Sequence, residues 1–444
     1  MSIETTQALI ADKGIEFFLC SFVEMSGVPK SKLVPATHLD DMAREGGGFA
    51  GFACGEMGQG PHSPDMAAIP DFSSLQIVPF RPNLAWVAGD VHVEGAPYPF
   101  CPRGVLKRQL EIARAKGFSL FSGVEPEFML LGADEKGGFA PYDALDTLEK
   151  PCYDLRALNR NLDLMTELMK ALQFLGWEPY ANDHEDANCQ FEINWTYSDA
   201  LLTADRLTFY RWMVRSMAEK HGLTATFMPK PFSHLTGNGC HHHLSLWNAD
   251  ATENLFLDKG DENGLSALAY AFIGGLKAHA KGLCALFAPT VNSYKRLVKG
   301  APKSGATWAP VYISWGGSNR TQMIRIPGAG RIELRTADGS INAYLAAAAM
   351  LAAGLDGIEK SLPAGEKNLD NLYELSDAQL RERGIECLPS NLSEALDELE
   401  KDAVLMEMLG PQLGPEFLRV KRAEWKSYHD SVSSWEMQKY LGVF

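Results

Sequence analysis

Two glutamates two residues apart, Glu125 and Glu127, lie inside the apolar segment from Phe118 to Leu131. Side chains of a β-strand alternate between its two faces, so both carboxylates are predicted to point the same way. Two like charges on a half-buried face repel each other and lose hydration unless a cation binds them. Oxygen ligands of this kind suit a hard divalent cation. The pair alone fits either a metal site or an exposed strand edge with two solvated acids.

Two further segments repeat this spacing with other ligand types. His241 and His243 share one face of a strand predicted at residues 241–247, directly after Gly237-Asn238-Gly239. Imidazole is a common metal ligand, although a histidine run can also lie on a surface without a function. The segment from Arg331 to Arg335 places Glu333 and two arginines on one face. Solvated strands also alternate in this way, so each segment by itself leaves both interpretations open.

Further acids and arginines are candidate ligands for cations and anions. Glu185 precedes Glu192 by seven residues, and a group of arginines occurs late in the chain: Arg296, Arg320, Arg325 and Arg335. Arginine clusters bind carboxylates and phosphates, and paired divalent cations support phosphoryl transfer. The chain has neither a G-x-x-x-x-G-K-[S/T] loop nor a kinase glycine-rich loop. The residues alone therefore predict metal-dependent phosphoryl or carboxylate chemistry, and no more specific reaction.

Length and composition describe a globular chain. Its 444 residues, 46% hydrophobic and 22% charged, allow two or three domains, or one large domain with a smaller one attached. The net charge of −15 disfavours nucleic acid or an anionic membrane as a partner. No apolar stretch reaches the roughly 20 residues of a membrane span, and no signal peptide is recognisable. Eight scattered cysteines without a C-x-x-C pair indicate reduced thiols, and a cytoplasmic location is expected.

Hydrophobic periodicity predicts an α+β organisation in two parts. Short strands and helices fill residues 1–102, and the proline-containing stretch from Pro97 to Pro102 marks the expected boundary with a large domain at 103–444. The expected long helices of that domain are 103–116, 155–175, 199–221, 265–286, 343–362, 392–409 and 416–440.

In order and spacing, these motifs resemble those of the glutamine synthetase superfamily along most of the chain. The resemblance rests on Gly123 to Phe128, His184-Glu185 to Glu192-Ile193, Gly237 to Ser245, Asn292 to Val298, Asn319-Arg320, Ile324 to Pro327 and Arg331 to Arg335. Within the superfamily the chain looks most like the glutamate–methylamine ligases, through Asp183 to Asn188 and Ser304 to Pro310.

The resemblance implies a fold, an assembly and a reaction. The expected fold is an N-terminal β-grasp domain (1–102) and a catalytic domain (103–444) with a curved antiparallel sheet. The expected assembly is a dodecamer of two hexameric rings with active sites between neighbouring subunits. ATP would phosphorylate the γ-carboxylate of L-glutamate, and methylamine would then attack the γ-glutamyl phosphate. Ammonium, or another small amine or polyamine, is the alternative nucleophile.

The resemblance also implies a role for each motif residue, with Mg²⁺ or Mn²⁺ as two or three ions per site. One metal would be held by Glu127, Glu185 and Glu192, and the other by Glu125, His241 and Glu333. Arg296 and Arg335 match clamps on the two carboxylates of glutamate, and Gly237 lies in the matching glutamate-binding loop. His243, Ser245, Arg320 and Arg325 match positions on ATP, and Arg320 and Glu185 are the expected catalytic residues.

The chain departs from ammonia-using members where the amine would bind. Two acids of those members are replaced here by Ala50 and Trp308, and an apolar wall with an indole face suits an alkylammonium. Glu185 and Tyr153 remain as candidates for the amine site, and the group that takes the amine proton stays open. Tyr373 lies in a segment resembling a loop that some bacterial members modify.

Two other classes of function fit the motifs less well. A non-catalytic member of the superfamily would be expected to lose metal ligands or arginines, and this chain keeps all of them. A guanidino kinase would share the general catalytic fold without needing this first domain or this set of motifs.

Overall fold

A computed structural model of the chain describes residues 2–135, 137–299 and 310–444. It contains two separate β-sheets, each with its own helices, and the α+β fold class predicted from the sequence is confirmed. No helix in these three ranges is both long and apolar enough to cross a lipid bilayer.

The first sheet belongs to the N-terminal hundred residues. Its strands are β1 (Phe17–Val23), β2 (Pro29–Pro35), β3 (Gly47–Phe49), β4 (Met66–Pro70), β5 (Gln76–Ile77), β6 (Leu84–Val93) and β7 (Ala96–Pro97). The order is β2-β1-β6-β4-β3, with β1 and β6 parallel and the other pairs antiparallel. Helices α1 (Ile3–Lys13) and α2 (Leu39–Glu45) accompany this sheet, and a small hydrophobic core of its own lies beneath it. The predicted boundary at residue 102 stays a prediction.

The second sheet is built around one long strand, β8 (Phe118–Ala133). The sheet also contains β9 (Phe139–Pro141), β10 (Pro179–His184), β11 (Gln190–Trp195), β12 (Ser198–Asp199), β13 (Thr224–Thr226), β14 (Cys240–Asn248), β15 (Trp315–Gly316), β16 (Ile324–Gly328) and β17 (Arg331–Leu334). The order is β10-β11-β8-β14-β17-β16-β15, and β9, β12 and β13 also pair with β8. All pairs are antiparallel except β15 with β16, which agrees with a mainly antiparallel catalytic sheet.

Twelve helices of the described residues accompany this sheet. They are α3 (Pro102–Ala115), α4 (Leu155–Arg160), α5 (Leu162–Phe174), α6 (Ala200–Lys220), α7 (Ala267–Ala278), α8 (Ala280–Phe287), α9 (Ala343–Glu359), α10 (Asp377–Glu382), α11 (Leu392–Lys401), α12 (Ala403–Leu409), α13 (Leu413–Asp430) and α14 (Ser434–Tyr440). The alanine-rich α9 is almost wholly buried within the large hydrophobic core.

Four predicted long helices were wrong in one respect, because each is broken into two. The segment 155–175 breaks at Asn161, 265–286 breaks at His279, and 392–409 breaks at Asp402. The segment 416–440 breaks between Asp430 and Ser434. In the first case the Asn161 amide donates to the Ala157 carbonyl oxygen at 2.8 Å while the Tyr142 hydroxyl bonds the Asn161 side-chain oxygen at 2.5 Å. In the third case the Asp402 carboxylate caps α12 by accepting from the Leu405 amide at 3.1 Å. Such side chains compete with helix continuation.

Candidate active site

Most of the residues singled out in the sequence meet at one cavity of about 620 Å³ on the face of the second sheet. The predicted residues that line it are Glu125, Glu127, Tyr153, Glu185, Glu192, Gly237, His241, His243, Arg296, Arg320, Arg325 and Arg335. Glu333 is fully buried beside them and reaches the cavity through its ion pairs with Arg325 and Arg335. The sheet therefore gathers acids, histidines and arginines from parts of the chain that are far apart in sequence.

The register of the strands explains how the acids and histidines come together. On β8, Glu125 lies opposite His241 of β14, and Glu127 lies opposite Glu192 of β11. On the far side of β14, His243 lies opposite Glu333. Because side chains two residues apart share a face, every ligand-type residue of these strands points to the same side of the sheet. The spacing of two in the sequence predicted this arrangement correctly.

Among the residues that the structure describes, three groups place one ligand atom per residue within 4.8 Å of one another, and each group could hold a metal ion. These groups are Glu125, Glu192 and His241; Glu125, His243 and Glu333; and Asp183, Glu185 and Glu192. Their membership differs from the two predicted sets, because His243 and Asp183 take part and Glu127 does not. Sequence reasoning missed Asp183, although it precedes Glu185 by the same spacing of two that marked the other pairs.

Mutual repulsion shows in the ionisation of two of these acids. Burial, together with the charges of Glu125, Glu185 and Glu127, raises the pKa of Glu192 well above its usual range. Burial and the neighbouring Glu127 and Asp183 raise the pKa of Glu185 to about 8. A divalent cation would relieve both effects, so the donor set fits an oxygen-preferring metal ion with one or two imidazoles.

Glu125 differs from those two acids because two histidines flank it. His243 Nε2 lies 2.8 Å from Glu125 Oε1, and His241 Nδ1 lies 3.6 Å from Glu125 Oε2. Burial would raise the pKa of Glu125, but hydrogen bonds from these histidines outweigh it, and the pKa is lowered. Glu125 is therefore the ionised centre of the cluster.

Glu127 is held in place by backbone and amide groups. Its Oε2 accepts from the Gly239 amide at 2.7 Å and from Gln190 Nε2 at 3.1 Å. Gln190 is fully buried and also donates to the Gly237 carbonyl oxygen at 3.0 Å. One amide thus links Glu127 to the predicted glutamate-binding loop. The sequence motif offered no signal for this role of Gln190, because its partners lie more than forty residues away.

The arginines of the cavity lie close to the acids. Arg296 is buried and donates to the carbonyl oxygens of Thr336 at 3.0 Å and Arg335 at 3.2 Å. Its pKa is lowered by burial. Arg335 and Arg325 each contact one oxygen of Glu333, at 2.5 Å and 2.7 Å. Cationic forks aimed at an acid-lined cavity suit anionic ligands such as carboxylates and phosphates.

A second cavity of about 390 Å³ adjoins the first and shares Glu125, Tyr180, His243 and Arg331 with it. The predicted ATP residue Ser245 lies here, where its hydroxyl accepts from Trp247 Nε1 at 2.9 Å. Phe121 and Tyr197 line the same cavity with their ring centroids 6.1 Å apart. These aromatic faces, which sequence reasoning missed, suit a planar ring.

The residues expected at the amine site have different positions. Tyr153 lines the first cavity, and its backbone has the left-handed φ of 62° while its amide donates to the His184 carbonyl oxygen at 2.8 Å. Ala50 belongs to the first unit and lines neither cavity in this chain. Trp308 lies in 300–309, outside the described residues.

Comparisons with known proteins agree with this geometry. The family model for the glutamine synthetase catalytic domain matches residues 99–440. The chain is 48% identical to a glutamate–methylamine ligase of Methyloversatilis universalis over 447 aligned residues, which cover 100% of both chains. It is 45% identical to a glutamine synthetase of Rhizobium meliloti, with 97% of this chain and 98% of that one covered.

Solved structures show the same likeness. A structure described as a GmaS/ADP complex superimposes with a TM-score of 0.92 at 51% identity and covers 98% of both chains. A structure of GmaS without ligand superimposes with a TM-score of 0.88 at 50% identity and covers 98% of this chain and 99% of the other.

Proposed function

This chain belongs to the glutamine synthetase family, and we propose that it is a ligase that uses ATP to join methylamine to the γ-carboxylate of L-glutamate. The products are N5-methyl-L-glutamine, ADP and phosphate. The observation that carries the proposal is the 48% identity to a glutamate–methylamine ligase along the whole of both chains. The cavity in which acids and arginines converge supports it, because that chemistry suits a carboxylate and a triphosphate as neighbouring ligands.

Divalent cations, Mg²⁺ or Mn²⁺, belong to this proposal as two or three ions per site. The residues that would hold them are Glu125, Glu127, Glu185, Glu192, His241 and Glu333, with Asp183 and His243 within reach of the same groups. When bound, such ions would neutralise negative charge on the phosphates during transfer. Carboxylates with one or two imidazoles accept either metal.

The arginines would position the anionic reactants. Arg296 binds the α-carboxylate of glutamate, Arg335 lies near its γ-carboxylate, and the Gly237 loop closes around its backbone. His243, Ser245, Arg320 and Arg325 bind ATP, with Arg320 stabilising charge on the transferred phosphoryl group. A γ-carboxylate oxygen then attacks the γ-phosphorus, and the bond from that phosphorus to ADP breaks.

The amine would complete the reaction by attacking the carbonyl carbon of γ-glutamyl phosphate and expelling phosphate. Methylammonium must lose one proton before this attack and a second one after it. Glu185 and Tyr153, which both line the first cavity, are the residues that we propose to contact the amine. Ala50 and Trp308 would provide the apolar surface that favours methylamine over ammonium.

A homo-oligomer, expected as a dodecamer of two hexameric rings in the cytoplasm, is also part of the proposal. Ala50 lies away from both cavities of its own chain, which suits a role at the site of a neighbouring subunit. The C-terminal segment leaves large apolar side chains exposed: Val432, Trp435, Met437, Tyr440, Leu441, Val443 and Phe444. Such a surface is typical of a contact between subunits.

A panel of amines tests the proposed reaction. Purified protein with ATP, glutamate and Mg²⁺ should release phosphate far faster with methylamine than with ammonium at equal concentration. Ethylamine, ethanolamine and a polyamine complete the panel, and mass spectrometry identifies the amide. Equal or faster turnover with ammonium would instead make this chain a glutamine synthetase, which is the activity named for the R. meliloti relative at 45% identity.

A further inference from the structure

The turn that joins β10 to β11 carries Glu185 and is fixed at its base by backbone hydrogen bonds. The Glu185 amide donates to the Gln190 carbonyl oxygen at 2.8 Å, and the Gln190 amide donates to the Ala187 carbonyl oxygen at 3.0 Å. Cys189 adopts a left-handed φ of 58° to close the turn. These bonds close the turn, but they do not fix the orientation of the peptide group between Glu185 and Asp186.

Asp146, on the segment that precedes α4, contacts both ends of this turn although it lies outside every sequence motif. Its Oδ2 accepts from His184 Nε2 at 2.8 Å and from the Cys189 amide at 2.6 Å. Its Oδ1 accepts from Asn188 Nδ2 at 3.2 Å. The side chains of Asp146 and His184 are almost completely buried, so water does not compete for these bonds.

His184 connects Asp146 to the backbone of Glu185. Its Nδ1 lies 2.9 Å from the Glu185 carbonyl oxygen, and its Nε2 lies 2.8 Å from Asp146 Oδ2. The imidazole is thereby fixed at both nitrogens, and it also packs edge-on against Phe191 with centroids 5.1 Å apart. Because the bond sets the plane of the peptide that follows Glu185, it sets the direction in which the Glu185 side chain leaves the backbone.

We propose that Asp146 is a positioning residue that acts through His184 to aim the Glu185 carboxylate at its cation. This role rests on the metal site of the proposed function, and not on the identity of the amine. Partners one step removed from metal ligands orient them, and their loss typically weakens metal binding by roughly 10- to 100-fold. Loss of the Asp146 carboxylate should therefore weaken binding of the cation held by Glu185 and leave binding of the cation held by His241 and Glu333 unchanged.

Binding of Mn²⁺ alone to the full-length protein, followed by electron paramagnetic resonance of the free ion, tests the role without substrates. Asp146→Ala should weaken one class of Mn²⁺ site by roughly 10- to 100-fold and leave the other unchanged. Asp146→Asn, which keeps one acceptor oxygen, should weaken the same class less. If the alanine variant does not fold by circular dichroism, the asparagine variant decides the question.

Two comparisons separate positioning from a general loss of structure. In a Glu185→Gln background the affected site is already lost, so Asp146→Asn should have no further effect on the remaining one. Asp402→Asn removes a carboxylate from another buried histidine pair, with His279, and should leave both classes unchanged.

The proposal would be overturned by equal weakening of both classes, by no change in either, by an effect that persists in the Glu185→Gln background, or by the same effect from Asp402→Asn. Wild-type protein that binds no Mn²⁺ would overturn the metal site itself and this role with it. Two Mn²⁺ classes together with turnover of ammonium alone would reject the proposed amine and leave the role of Asp146 standing.

Discussion

At the scale of the residue, Arg296 is the clearest candidate for recognition of glutamate. It is buried, and two of its nitrogens are already fixed by the carbonyl oxygens of Arg335 and Thr336, directly after β17. Arg296→Lys keeps the charge but loses the planar fork that binds a carboxylate with two bonds. A hydrogen bond to a charged group is worth about 1.5–3 kcal/mol, so the KM for glutamate should rise by about 10- to 150-fold.

Steady-state kinetics with varied glutamate and fixed ATP measures this effect, and the KM for ATP serves as the internal reference. Arg160→Lys offers a control, since this arginine forms an ion pair with Asp143 away from both cavities. An unchanged KM for glutamate in Arg296→Lys would contradict the assignment.

Single residues differ in how far the sequence could predict them. Spacing of two on strands was enough to bring Glu125, His241 and Glu333 to one face, because strand periodicity leaves little freedom. Asp146 and Gln190 could not be found in this way. Their contacts depend on a loop and a turn folded against each other, and no local pattern encodes a partner 38 or 63 residues away.

At the scale of the element, two of the unexpected helix breaks turn out to be connected. His279 ends α7, and Asp402 precedes α12; the two side chains meet at 2.7 Å, with Asp356 of α9 3.0 Å from the other ring nitrogen. Burial would lower the pKa of His279, but its hydrogen bonds to these carboxylates outweigh this effect, and the pKa is raised. Periodicity predicts continuous helices here because a pair 123 residues apart leaves no local trace.

This pair predicts a dependence of stability on pH. The folded pKa of His279 is above the unfolded value of about 6.5, so its stabilising effect is complete below about pH 6.5 and is lost as pH rises through the folded value. His279→Gln should lose roughly 1.5–3 kcal/mol at pH 6 and less at pH 9. Urea unfolding at fixed protein concentration measures both; a difference from wild type that stays constant or grows with pH would contradict the prediction.

At the scale of the whole molecule, one buried arginine joins the two sheets. Arg103, at the start of α3, contacts Asp71 at 2.9 Å and Asp90 at 2.8 Å in the first unit, and Asp205 of α6 at 2.9 Å. Only 2% of the Arg103 side chain is exposed. The contact explains how a small β-rich unit keeps a fixed position on the larger one, and a charge total of −15 gave no indication of it.

Removing this arginine should therefore lower the free energy of unfolding. Arg103→Met leaves Asp205 buried without its cation, and breaking a buried pair typically costs about 3–5 kcal/mol. Urea unfolding measures the change in the free energy of unfolding. Arg44→Met, which breaks an exposed pair with Asp41, is the matched control and should leave stability unchanged. Similar losses in both variants would contradict a specific role for Arg103.

The C-terminal segment allows a test of assembly that is independent of catalysis. Helix α14 and the residues after it expose Trp435 at 61%, Leu441 at 70% and Phe444 at 99% of their surface. Apolar side chains of this size are stable in water mainly when another surface covers them, and a second copy of the chain is the proposed partner.

Deleting residues 433–444 should therefore lower the mass of the assembly measured by light scattering after gel filtration. Lys439→Ser, on the same helix, should leave the mass unchanged. Because this segment contributes nothing to either cavity, the truncated protein should still bind Mn²⁺. An unchanged mass would mean that the exposed residues lie outside the contacts between subunits, and the proposed dodecamer would then have to be held together by other surfaces.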